Sequence, residues 1–196
     1  VHFAIVAILS GSIALLRGGR LANLSRLTIR WSALPLVALS LQIWVMYGPN
    51  WQDSRSFGSS SLLLVASFGI LLLTVLINWR LPGMIWLACG VALNLVVILA
   101  NGGWMPITHD LAVQSGLLKD PTSLLPGQRA WATKDVLRAP DEIRLHWLAD
   151  LFMIPQVGVF SIVFSVGDAL MMLGLFQLVQ AGMLGKVESL TTSAKP

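Results

Sequence analysis

Residues 81–100 read LPGMIWLACGVALNLVVILA, and residues 101–108, directly after, read NGGWMPIT. The first stretch carries no charge and supplies the ~20 apolar residues that cross a ~30 Å hydrocarbon core as one helix. The second puts an amide, two glycines, a tryptophan and a proline where that helix would leave the bilayer. Either it is a helix stop with Trp104 at headgroup level, or it is one wall of a site at the membrane surface.

The composition agrees with a membrane setting. Of 196 residues, 56% are hydrophobic and 11% are charged, with mean hydropathy +0.77; soluble domains carry roughly 25% charged residues. Further apolar runs place spanning helices near residues 2–17, 31–48, 61–79, 83–101 and 165–184. The expected fold class is all-α: a polytopic membrane helix bundle of about five transmembrane helices, forming a single domain over 1–196. An extracytoplasmic loop at 102–164 is expected to contain two short helices. The first apolar run is followed, not preceded, by basic residues, so it reads as a retained helix and not as a signal peptide. Cys89 is the only cysteine and lies in an apolar run, which leaves no disulfide framework and no CxxC site.

Basic residues set the orientation. Arg17, Arg20, Arg26 and Arg30 fall between the first two runs, Arg80 in a later turn on the same side, and Lys186 and Lys195 in the tail. Arg55 stands alone in the short loop opposite. Short loops rich in Lys and Arg stay in the cytoplasm, so the expected location is a bacterial cytoplasmic membrane, N-terminus outside and C-terminus cytoplasmic. The net charge of +4 is then topological and calls for no nucleic acid.

In the loop, Pro106, Pro121, Pro126 and Pro140 mark breaks. A first short helix is expected from Thr108, as N-cap, to a stop at Gly116. A second is expected from Pro140, with Asp141 and Glu142 in its first turn. In that helix Ile143, Trp147, Leu148 and Leu151 would share one face, an interface-hugging pattern. Residues 151–164, punctuated by Pro155 and Gly158, are expected to dip along or into the outer interface. Ser165 and Asp168 in FSVGD have the spacing of an N-cap with an acid in the first turn.

Several residues qualify as site or packing positions, each with a plainer reading beside it. Gly83, Gly90, Asn94 and Asn101 recur on one face of the fourth helix, and Gly167, Gly174 and Ala181 on one face of the last. Small residues there allow close helix packing. Gln42 lies about 16 Å along its helix from Trp31, and Asn94 about 18 Å from Pro82, so the two amides are expected to meet. Asp168 is either an intramembrane acid on an ion path or simply the capping acid. With Asn101, Gly102 and Gly103 it would form a polar cluster at the outer surface, joined by His109, His146 and Asp150. His109 with Asp110 and His146 with Asp150 have ligand chemistry, but no HExxH or similar motif supports a metal, so neither metal nor cofactor is expected. No catalytic residue is identified.

Four segments together resemble the bacterial integral membrane family known as domain of unknown function 5317: GGRLANL, LNLVVILANGGWMPI, RLHWLADLFMIP and VFSVGDALMMLGLF. The resemblance spans nearly the whole chain in order. It implies a multi-helix membrane protein, supplies no activity, and marks Asn101, Gly102, Gly103, Met105, Pro106, Asp150, Gly167 and Asp168 as positions that match the pattern.

The favoured function is non-catalytic: an accessory or structural membrane protein, or a binder of a lipid or other apolar ligand, with membrane lipids and a larger membrane complex as partners. The alternative is an enzyme acting on a lipid-linked substrate at the outer leaflet through His109, His146, Asp150 or Asp168. A small transporter comes third, because paired ionisable residues and inverted repeats are not visible.

Overall fold

Apolar runs fold as long helices in a computed structural model that describes residues 2–48, 57–118, 127–130, 132–157 and 160–186. The helices are α1 (His2–Leu16), α2 (Ala33–Tyr47), α3 (Ser59–Ile77), α4 (Met84–Ala100), a short α5 (His109–Gln114) and α6 (Val166–Met183). Arg55, Lys119, Pro121, Pro126, Gly158 and Lys195 lie outside the described residues. Two helices, α3 and α6, are long and apolar enough to cross a membrane; α1, α2 and α4 are apolar but shorter.

The long helices pack in the order α2, α3, α4, α6, α1. The tightest approach is between α4 and α6, where the two glycine stripes face each other. A Cβ on Gly174 would stand 2.6 Å from the Gly83 carbonyl oxygen, and one on Gly90 would stand 2.8 Å from the Met171 nitrogen. Absent side chains thus let the backbones touch. The expected meeting of Gln42 and Asn94 does not occur. Gln42 donates to Ser67 Oγ of α3 at 3.2 Å, because α3 lies between α2 and α4, while Asn94 turns to α6.

One end of the bundle gathers the basic connections. Arg20 N–H and Asn23 Nδ2 donate to the Met183 carbonyl at 2.9 and 2.8 Å, Arg17 donates to Gln180 at 2.9 Å, and Asn78 Nδ2 donates to the Arg30 carbonyl at 3.0 Å. The opposite end carries a cap built from the described residues between 102 and 164.

The cap corrects the all-α expectation. Strand β1 (Met105–Thr108) leaves α4 and pairs in parallel with β2 (Asp135–Arg138), Met105 opposite Asp135. Strands β3 (Phe152–Val157) and β4 (Phe160–Phe164) form an antiparallel hairpin with an irregularity between Ile154 and Val157, around Pro155. Phe152–Val157 and Phe160–Phe164 thus pair with each other and are not irregular backbone. The first short helix stands near its expected bounds: Thr108 caps α5 by accepting from Leu111 N–H, and Gly116 follows at φ 77°.

The second short helix does not form. Pro140–Glu142 and His146–Leu148 are single 3₁₀ turns, separated by Leu145 in the left-handed region at φ 56°. Ile143 is 8% exposed and Trp147 80% exposed, so they share no buried face. The physical cause is the Asn101 side chain. It donates to the Arg144 carbonyl and accepts from the Arg144 N–H, both at 2.9 Å, which takes over the backbone groups a continuing helix would need.

At the exit of α4 the chain turns as NGG suggests. Gly102 and Gly103 have φ of 79° and 90°, and Gly103 N–H returns to the Ile98 carbonyl at 2.8 Å, the longer bond of a Schellman cap. Trp104 does not face outward, however. It is 1% exposed and packs in the core with Val45, Leu64 and Val97, because β1 carries it inward beneath the cap.

Candidate functional site

The cap meets the bundle over a buried charge cluster. Ser165 opens α6 with a full capping box: its hydroxyl accepts from Asp168 N–H at 2.9 Å, and Asp168 Oδ2 accepts from Ser165 N–H at 3.3 Å. Asn94 of α4 bridges the same pair, donating to Asp168 Oδ1 and accepting from Ser165 Oγ, both at 2.8 Å. An acid suited to a helix N-terminus is thereby also tied to the neighbouring helix.

From the cap side comes Lys134, which immediately precedes β2. Its ammonium lies 2.7 Å from Asp150 Oδ2, 3.4 Å from Asp135 Oδ1 and 3.9 Å from Asp168 Oδ2. Asp150 and Asp168 are each 2% exposed. Burial alone would lower the Lys134 pKa, but Asp150, Asp135 and Asp168 outweigh it and hold the ammonium above its ordinary range. The Asp150 carboxyl is pushed up, by burial first and by Asp135 and Asp168 as well, against the pull of Lys134. Its Oδ1 has no hydrogen-bond partner among the described residues, which leaves a place for a proton. His2, at the start of α1, lies within electrostatic reach of Asp168.

Arg129 makes a second tie. Buried to 2% exposure, it donates to the Val45 carbonyl at 2.6 Å and lays its guanidinium 4.8 Å from the Trp104 ring centroid. One side chain thus joins the cap to the last turn of α2 and to the core beneath β1.

Beside these ties, a cleft of about 300 Å³ opens over the end of α4, with Leu99, Asn101 and Phe57 among its lining and Arg138, Glu142 and Arg144 on its rim. A second cleft, of about 220 Å³, is lined by Thr108, His109, Asp110 and Arg138. A family model for DUF5317, a family of unknown function, matches residues 26–180. The chain belongs to this family. The matched span of the DUF5317 chain holds the entire cap and every member of the charge cluster except His2. No curated protein and no solved structure matches it.

Within this DUF5317 chain the expected surface cluster divides. Asp150 and Asp168 come together, joined by Lys134. Asn101 does not face Asp168; it clamps Arg144, and with Gly102 it lines the first cleft. Gly103 packs on Ser61, where a Cβ would stand 2.6 Å from that side chain. His109 lines the second cleft. His146 stands edge-on to Trp147 with its Nδ1 unpartnered among the described residues. Of the packing positions, Gly90, Asn94 and Gly174 lie in the α4–α6 contact and Gln42 in the α2–α3 contact. No group of three or more His, Cys, Asp and Glu with metal-binding geometry occurs among the described residues.

Nothing in the sequence marks Lys134, Asp135, Arg129, Arg138 or Arg144 as site positions, and Glu142 stands out there only as an acid in the first turn of an expected helix. One signal pointed to a missing cation: Asp150 and Asp168 both sit in apolar surroundings, and buried acids need a counter-charge.

Proposed function

We propose that the protein is a five-span membrane protein, N-terminus outside and C-terminus cytoplasmic, that works without catalysis as a lipid-binding or accessory subunit capped on its outer face. One contrast carries the reading: the exposed side chains of the long helices are mostly apolar and none is charged, while the acid-bearing site is sealed. Ile8 and Leu16 of α1, Leu36 and Trp44 of α2, Leu62 and Leu76 of α3, Ile85 and Val96 of α4, and Leu173 of α6 are all exposed, whereas Ser10, Ser67, Asn94 and Gln180 are buried. That inversion suits lipid and would be a large aggregating patch in water. The basic connections at one end agree with the positive-inside rule.

The sealed cluster weighs against chemistry on a bulky lipid-linked substrate, since Asp150 and Asp168 are each only 2% exposed. The enzyme reading draws its support from the unpartnered Asp150 Oδ1 and His146 Nδ1, and it requires the cap to lift. A transporter is disfavoured because, among the described residues, the buried polar groups of the helices below the cluster are amides and hydroxyls and form no chain of ionisable groups.

Thiol labelling tests the topology. In a Cys89→Ala background, a cysteine at exposed Trp147 should react with a membrane-impermeant maleimide in intact cells. One at exposed Ser25 should react only after lysis. The reverse pattern, or equal reaction of both in intact cells, would sink the orientation.

A further inference from the structure

We propose that the cleft above Asn101 binds the headgroup of an outer-leaflet aminophospholipid, Arg138 and Arg144 taking its phosphate and Glu142 its ammonium group. The inference rests on the membrane reading above and deepens it by naming the lipid class.

The position suits a lipid. The cleft lies where α4 ends, between apolar side chains and charged ones. Leu99 and Phe57 are 43% and 52% exposed, so acyl chains can continue down the apolar helix surface while the headgroup meets the rim. A volume of about 300 Å³ stands at the lower end of the ~300–1,000 Å³ usual for ligand pockets; it suits a headgroup and not a whole lipid.

The charged lining is unspent and rests on a fixed frame. Asn101 holds the Arg144 backbone by two hydrogen bonds of 2.9 Å, and Arg138 ends a strand paired with β1. Among the described residues, the side chains of Arg138, Glu142 and Arg144 make no ion pair or hydrogen bond. Neither Asn101 amide atom faces the ligand; both are used to hold the turn that presents the arginine.

The charge pattern selects the headgroup. Two guanidinium forks match a phosphodiester. A purely anionic lipid would leave Glu142 facing negative charge, and a choline headgroup has no N–H to give it. A primary ammonium brings three donors for one carboxylate, so phosphoethanolamine chemistry satisfies all three side chains together.

Native mass spectrometry of the purified full chain provides the test, titrating phosphatidylethanolamine, phosphatidylcholine and phosphatidylglycerol of identical acyl composition. Wild type should retain the ethanolamine lipid about tenfold or more over the choline lipid. The double variant Arg138→Gln/Arg144→Gln should lose about tenfold or more of that binding, and Glu142→Gln should equalise ethanolamine and choline lipids. Unchanged melting temperatures would confirm that these surface variants fold. A preference for phosphatidylglycerol overturns the ammonium assignment, displacement by inorganic phosphate alone overturns a lipid ligand, and equal retention in wild type and variants overturns the site. Alkaline carbonate extraction of wild-type membranes separates the two levels: release to the supernatant defeats the membrane reading, whereas an integral but lipid-indifferent protein defeats the headgroup site alone.

Discussion

Lys134→Met is expected to destabilise the folded protein by about 3–5 kcal/mol, the cost of leaving a buried ion group without its partner. Three carboxylates surround this one ammonium within 4.0 Å, and two of them, Asp150 and Asp168, are almost wholly removed from solvent. Methionine fills much of the lysine's volume but supplies no charge. The acids must then take up protons or draw in water, and either change loosens β2 from the start of α6. Chemical unfolding in detergent micelles would measure the loss, with Lys134→Arg as the charge-retaining comparison. A loss under about 1 kcal/mol would place the pair in the range of solvated surface ion pairs and remove its role in holding the cap.

Gly90→Val is expected to be at least as damaging, at about 3 kcal/mol or more, because overpacking here meets backbone. A Cβ at this position collides with the Gly167 carbonyl oxygen and stands 2.8 Å from the Met171 nitrogen. Side chains yield by changing rotamer, but two helix backbones yield only by moving apart. Separation of α4 from α6 would also pull Asn94 away from Ser165 and Asp168. Gly69→Ala in α3 is the matched control: nothing lies within 4 Å of its added Cβ, and its effect should stay within about 1 kcal/mol. The ratio of folded to aggregated protein after extraction, read by size-exclusion chromatography, would report both.

The helices and their caps were legible because each has a local cause. Apolar runs between charged turns define α1 to α4 and α6, and the S-x-x-D spacing of Ser165 and Asp168 marks where α6 begins. The glycine stripes were legible as packing faces, although which stripe meets which depends on the order of helices in space. The strands were not legible. MPIT contains a proline, DVLR lies some 30 positions further on, and four-residue apolar segments carry no period that separates strand from helix. The turn after Pro140 departs from its pattern for a related reason: the amphipathic spacing is real, but the Asn101 side chain captures the Arg144 backbone from across the fold. Lys134 was invisible as a site residue because a lysine in a charged loop looks solvated. Only the pairing of β2 with β1 seats it over α6.

Asn101 and Asn94 illustrate the difference between depth and contact. Both lie on one face of α4, and the sequence directs attention to Asn101, nearer the exit. The helix geometry assigns Asp168 to Asn94, two turns deeper, and leaves Asn101 to organise the cleft. Replacing Asn101 should therefore disturb the arginine rim without touching the charge cluster.

The claim that cap and bundle form one unit, joined through Lys134 and Asp168, is tested most directly by a double-mutant cycle. Lys134→Met and Asp168→Asn, singly and together, would be unfolded in detergent, with Asn101→Ala and Asp168→Asn as the parallel cycle. The expected result is a coupling of about 1–3 kcal/mol for the first pair and additivity within about 0.5 kcal/mol for the second. Additivity of Lys134 with Asp168, or strong coupling of Asn101 with Asp168, would contradict the arrangement.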